Sequence, residues 1–202
     1  LPFWTYDAET TTDYVGERGK DRTVTEKDED GKTTSHTETT WTRTEGTVDV
    51  SFDDVIVPGT KTLPDNILYN LDNWDLSKLV PYNPEFLAGF VTDLYTIDFR
   101  EGLGHAKEKM KSEIESEIET DIGGDKQRII EMHTDYQDVM FKLLLLPLWI
   151  SVFHFNGKTY QFVVNGKTGE ITGDYPYDKL KVALCVILFI IVCALGYYWL
   201  YC

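Results

Sequence analysis

Carboxylates are the side chains in this chain whose number and spacing most invite chemistry. There are 34 Asp and Glu against 19 Lys and Arg, a formal charge of −15 over 202 residues. They come in runs, Asp28-Glu29-Asp30 and Asp53-Asp54, and in a series at Glu113, Glu115, Glu117, Glu119 and Asp121. Adjacent carboxylates can share acid–base work or hold a divalent cation. No stretch has the alternating oxygen-ligand spacing of a calcium loop, however, and like-charge runs are most often solvated surface. The residual catalytic reading is a hydrolase using Asp53, Asp54 or His133. An acidic chain without a basic stripe predicts no nucleic-acid partner, because phosphate binding draws on clustered Lys and Arg.

The nucleophiles and metal ligands are sparse. There is no Cys-x-x-Cys, and none of His36, His105, His133 and His154 has a ligand-type neighbour at metal-site spacing. The three cysteines, Cys185, Cys193 and Cys202, lie together near the C-terminal end, so no structural disulfide is expected. Cys202 reads as a packing residue, with acylation the alternative. Gly102-Leu103-Gly104 and Gly123-Gly124-Asp125 lack the strand, loop and Lys-Ser/Thr of a phosphate cradle and read as helix ends. The sequence therefore predicts no catalytic residue, no cofactor and no metal ligand among these residues.

The elements that must carry these side chains fall into three regions. Residues 1–60 are rich in Thr with Val, Trp and Phe between, which reads as half-exposed strand. Arg22–Glu26 and Thr33–Thr44 flank Asp30-Gly31, a tight-turn signal, and the resulting hairpin has few large apolar residues apart from Trp41. Residues 61–178 form the expected body. Prolines punctuate short helices whose packing anchors are Trp74, Leu76, Leu79, Phe86 and Phe90, and a strand follows at Thr92–Phe99. Leu103, Ala106, Met110, Ile114, Ile118 and Ile122 step by three or four, predicting a long amphipathic helix over about 101–122. Strands are expected at Lys126–Thr134, Val139–Leu146, Trp149–Asn156, Thr159–Asn165 and Glu170–Thr172, with Asn156-Gly157 and Asn165-Gly166 as turns.

The third region, residues 179–202, contains 21 consecutive uncharged residues from Val182. That length predicts a single transmembrane helix. Tyr197, Tyr198, Trp199 and Tyr201 would mark one interface and Lys179 and Lys181 the other, placing the N-terminal domain in the cytoplasm. The expected fold is thus α+β: an antiparallel β-rich domain with one long helix, then a C-terminal membrane span. Leu1 is not an initiator Met and no signal peptide follows it, so the chain reads as processed or, preferably, as a fragment.

Several segments in order across residues 2–178 carry a family likeness: PFWTYDAETTTDYVGERG, PEFLAGF, DIGGDKQRI, LLLPLWI and YQFVVNGKTGEITGDYPY. Together they resemble the body of bacterial membrane-anchored zinc-ribbon proteins, a group labelled TFIIB-type zinc-finger or primosomal-protein-like. The family's Cys-x-x-Cys ribbons are absent, so the resemblance implies zinc only in a segment ahead of Leu1, and the replication label is not carried over. It implies no catalytic residues. It implies instead a membrane adaptor or scaffold, not an enzyme, with phage-shock-protein-A-like or flotillin-like (SPFH) partners and the bilayer. Alternatives are an accessory subunit of a larger membrane complex, or the hydrolase above. Candidate partner surfaces are the hairpin around Trp41 and the acidic helix face at Glu113, Glu117 and Glu119.

Overall fold

The computed structural model describes residues 1–27, 33–68, 71 and 74–201; side chains at 27, 65–66, 179–180, 191, 195 and 198–201 are outside the description. The Asp28-Glu29-Asp30 run, the Asp30-Gly31 turn and Cys202 lie outside the described residues, as do the side chains of Lys179, Tyr198, Trp199 and Tyr201. The chain forms two compact units, Leu1–Leu146 and Pro147–Cys202.

The first unit is built on three long strands: β1 (Pro2–Lys27), β2 (Thr33–Pro58) and β3 (Lys126–Leu145). They form one antiparallel sheet in the order β2-β1-β3. Period-2 alternation along β1 puts Trp4, Tyr6, Ala8, Thr10, Thr12 and Tyr14 on one buried face. Across that face lies α2 (Phe99–Ile122), whose Gly102, Ala106, Met110, Ile114, Ile118 and Ile122 are buried against Trp4, Tyr6, Tyr14, Val48 and Phe52. Each fully buried Ile contributes about 1.5–3 kcal/mol relative to exposure, so this seam dominates the unit's cohesion.

Local chemistry fixes where α2 starts and stops. The Asp98 side chain accepts from the Arg100 and Glu101 amides at 2.7 and 3.0 Å, an N-cap that satisfies two otherwise orphaned donors. Gly123 at φ 62° closes the other end, its amide donating to the Glu119 carbonyl. The Trp4 indole donates to the Ile97 carbonyl at 2.8 Å and the Tyr6 hydroxyl to the Phe99 carbonyl at 2.6 Å, pinning the helix entry to β1. Gly102 makes the close approach possible, since a Cβ there would come within 2.6 Å of the Tyr6 hydroxyl. Between β2 and α2 the described residues form α1 (Asp65–Leu68) and two 3-10 turns, Leu76–Lys78 and Pro84–Leu87.

The second unit holds β4 (Leu148–Phe155), β5 (Lys158–Asn165) and β6 (Ile171–Gly173), antiparallel in that order, followed by α3 (Lys179–Tyr201).

Several expectations are corrected. The α+β assignment with a terminal membrane span gives way to a mainly antiparallel β architecture. Among the described residues no helix is long and apolar enough to cross a membrane. The single-pass anchor, and the cytoplasmic placement argued from it, are set aside accordingly. Of the two assigned interface residues with described side chains, Lys181 pairs with Asp178 at 3.9 Å, and Tyr197 is exposed. Thr92–Phe99 is not a strand: the Thr96 and Ile97 amides both donate to the Gly59 carbonyl, and the Ile97 and Phe99 carbonyls accept from the Trp4 and Tyr6 side chains, in place of a ladder. The two strands expected across 126–146 are one, kinked at Asp138 rather than broken. Trp74 is buried, packed on Phe3 with ring centroids 5.8 Å apart, but Leu79, Phe86 and Phe90 are exposed.

Candidate functional site on the open face of the sheet

Beyond its buried Phe3–Thr5 end, the face of the three-stranded sheet opposite α2 is exposed and acidic. Alternate positions place Glu9 and Asp13 of β1, Glu45, Asp49 and Asp53 of β2, and Glu131 and Asp135 of β3 on it, all exposed. Cross-strand hydroxyls hold three of them. Thr47 donates to Asp13 at 2.6 Å, Thr11 to Asp49 at 2.8 Å and Ser51 to Glu9 at 2.7 Å. Threonine, favoured in strands, thus doubles here as the donor that fixes a neighbouring carboxylate. Each carboxylate keeps further lone pairs directed to solvent.

At one end of this face two irregularities meet. Asp7 of β1 stands opposite Asp53 and Asp54 where the β1–β2 register slips, and the β1–β3 register slips between Asp7 and Glu9. Asp54 and Asp138 take φ of 56° and 50°, the left-handed conformation that Asp tolerates better than most residues and that bulges use. The carboxylate oxygens of Asp7, Asp53 and Asp54 lie within 4.8 Å of one another. This is the one grouping among the described residues that could hold a metal ion. The Lys142 ammonium is already there, 3.1 Å from Asp7 and 3.6 Å from Asp54, so a cation would have to displace it. The Asp54 amide donates to Asp7 at 2.9 Å and the Thr5 hydroxyl to Asp54 at 3.1 Å. Burial pushes the Asp7 carboxyl up, but hydrogen bonds from the Asp54 amide and the Lys142 ammonium, with the charge of Lys142, outweigh it and hold it below the usual carboxylate range. The same contacts, Asp7 foremost, raise the Lys142 ammonium. The geometry is that of an ion-paired bulge.

The opposite end is basic and aromatic. Trp41 of β2 faces Gly19 of β1, and the Arg128 guanidinium lies 4.0 Å from its ring centroid. Arg128 also reaches Glu17 at 3.4 Å, and Lys126 pairs with Asp21 at 3.1 Å. Gly19 is needed here: a Cβ would come to 3.0 Å from Trp41, Thr39 and Lys126. Beyond Gly19 and Lys126, the last pair of β1 with β3, only β1 and β2 continue, as a ribbon of roughly eight residues per strand, about 25 Å long.

The residues singled out from sequence are therefore distributed. Asp53 and Asp54 come together, with Asp7 as the partner that sequence spacing could not show. His133 shares the open face but sits beside Asp13, six residues along β1 from Asp7, about 20 Å away, and pairs with Asp135 at 3.7 Å. The hydrolase grouping is not assembled. Glu113 and Glu117 flank one side of the buried stripe of α2 and Glu119 the other, because each lies 100° before or after a buried Ile. Glu113 also borders a shallow groove of about 250 Å³ with Phe52, Asp54 and Lys109, whose ammonium donates to the Ile56 carbonyl at 3.0 Å. The open-face carboxylates went unread because each is an ordinary exposed acid in sequence; only the strand register aligns them. The signal that was available was the alternation Asp49-x-Ser51-x-Asp53.

No protein-family model matches the chain, and no solved structure matches it. Over 186 residues the chain is 25% identical to the "Uncharacterized protein YdjG" of Bacillus subtilis (strain 168), an alignment covering 91% of this chain and 52% of that protein. The chain spans about half the length of the curated relative it matches.

Proposed function

We propose that this chain is a non-catalytic adaptor or scaffold module that holds protein partners on its open sheet face. The observation that carries the reading is the row of exposed carboxylates fixed by cross-strand Thr and Ser hydroxyls. A flat, prearranged acidic surface suits recognition of a basic protein surface, for which electrostatic complementarity sets on-rate and orientation. The Trp41–Arg128 stack at the ribbon's base offers an aromatic anchor of the type enriched in interface hot spots. The zinc-ribbon resemblance supports the same class of role and makes phage-shock-protein-A-like or flotillin-like proteins the first partners to test.

The test is isolation of the full chain from its source cells after chemical crosslinking, with crosslinked peptides mapped by mass spectrometry. Partners attached in stoichiometric amount around β1, β2 and β3, lost in the Asp13→Asn, Asp49→Asn, Asp135→Asn triple variant and weakened by salt, are the expected result. Partners retained by that variant but lost on neutralising Glu113 and Glu117 would move the site to α2. Recovery of the chain alone would sink the adaptor reading.

A further inference from the structure

We propose that the outer edge of β4 is a self-association edge, at which two copies of the chain pair β4 to β4 antiparallel about a two-fold axis. In the sheet β4-β5-β6 the first strand pairs, among the described residues, with β5 alone. Its sequence, Leu148–Phe155, contains no charged residue and no proline, and its eight residues pair with β5 without a register shift. Natural edge strands are normally guarded by charge, proline, a bulge or a cover, because an open row of amides and carbonyls templates further pairing. None of the first three guards is present on β4, and its side chains are exposed on both faces, Trp149 at 68% and Val152 at 52%.

Charge singles out a second copy as the occupant. Residues 147–202 carry four lysines and three carboxylates, whereas residues 1–146 carry the other 31 carboxylates and 15 Lys and Arg. Two copies repel each other through their first units and meet without penalty through their second. The strand is also self-complementary. Trp149, Ser151, Phe153 and Phe155 share one face with Phe162, Val164 and Ile171 of the neighbouring strands. Ser151, the small residue of that series, lies at the strand's middle. An axis through it sets each Trp149 opposite the partner's Phe153, an aromatic cross-strand pair, and no large side chain meets itself. The product is a six-stranded sheet with one continuous aromatic face.

The test uses the full chain in a non-ionic detergent, so that the apolar side chains of α3 do not drive association. Sedimentation equilibrium is expected to show a concentration-dependent dimer, and Ser151→Lys, which opposes two ammonium groups across the axis, to weaken it at least tenfold with an unchanged circular dichroism spectrum. With diamide as the two-electron oxidant, Ser151→Cys is expected to form an intermolecular disulfide, located by peptide mapping away from Cys185, Cys193 and Cys202. Paired strands bring directly opposed Cα atoms to about 4.5–5.5 Å, within disulfide reach. Ile171→Cys on β6, five strand spacings or about 24 Å from its counterpart, should not crosslink. A monomer at all concentrations, a dimer that Ser151→Lys leaves intact, or equal crosslinking of the two cysteine variants would each overturn the proposal.

Discussion

Two three-stranded antiparallel sheets occur in one chain, and they bury their apolar side chains very differently. The β2-β1-β3 sheet has α2 laid along one face, and its six innermost helix positions are buried together with Trp4, Tyr6, Tyr14, Val48 and Phe52. Beyond the end where Trp74 packs on Phe3, the other face carries fixed carboxylates instead. The β4-β5-β6 sheet has Val163 as its one fully buried apolar side chain, while Trp149, Ile150, Val152, Phe155 and Ile171 are exposed. A sheet with one face sealed can specialise the other. A sheet with neither face sealed keeps both apolar and leaves its stability to whatever covers it.

The largest expected effect separates the two sheets directly. Ile114→Ala opens a cavity under α2 at a side chain with no exposure, and should cost about 2–5 kcal/mol. Val163→Ala removes less, about 1–2 kcal/mol by transfer alone. Urea unfolding of both variants, with hydrogen exchange read separately over each sheet, checks this. Equal losses, or equally slow exchange in both sheets, would break the comparison. Next in size is Gly16→Val. A Cβ at Gly16 would lie 2.6 Å from the Ile122 side chain and 2.8 Å from the Arg128 carbonyl, and backbone cannot swing aside as a side-chain tip can. Overpacking of about 1–3 kcal/mol is expected from the same unfolding measurement, with the sheet–helix seam as the part that exchanges faster.

How far these features could be read in the sequence follows the same division. The stripe at Ala106, Met110, Ile114, Ile118 and Ile122 is local, so spacing alone identifies the residues that face the sheet. The strand pattern around β4 and β5 is local too, and its Asn-Gly turn sits at Asn156, where φ is 50°. What could not be read is what depends on register. The alignment of Glu9 with Ser51, or of Asp7 with Asp53 and Asp54, requires knowing which residues of two strands 40 or more positions apart stand opposite, and at Asp7 a bulge shifts that count. The exposure of Leu79, Phe86 and Phe90 was illegible for another reason: apolar residues between prolines look like core anchors whether or not anything packs on them. The extent of β1 and β2, 26 residues each, exceeds what composition suggests because two-stranded pairing continues past the covered part of the sheet.

Smaller effects test how the sealed face is tied down. Tyr14 is buried and its hydroxyl donates to Asp121 on α2; Tyr6 is buried beside the helix entry. Burial first, with Asp121 and Asp98 adding, pushes both phenols up to about 12. An unfolded Tyr ionises near 10, so between about pH 10 and 12 the unfolded chain releases protons that the folded chain keeps. Stability contributed by these phenols is present below pH 10 and is lost as pH rises through 12. Ultraviolet titration should show two tyrosines, Tyr6 and Tyr14, ionising near 12. Tyr14→Phe should remove one of them and cost about 1 kcal/mol at neutral pH.

The smallest effect belongs to the ion-paired bulge on the open face. Lys142 is more than half exposed, so Lys142→Met should cost under about 1 kcal/mol at pH 7, in keeping with solvated ion pairs. Its signature is in the pH dependence. With its carboxyl held low in the folded chain, Asp7 contributes stability that is present above the unfolded value near 4 and is lost as pH falls through the lower folded value. Removing the ammonium raises the folded carboxyl toward the unfolded value. The variant should therefore lose less stability than the parent on going from pH 5 to pH 2, and an acid titration of the unfolding free energy reads that difference. An identical acid profile would mean that the Asp54 amide alone holds the Asp7 carboxylate. The acidic end of the open face would then owe its charge state to the backbone bulge, and Lys142 would be free to serve a partner.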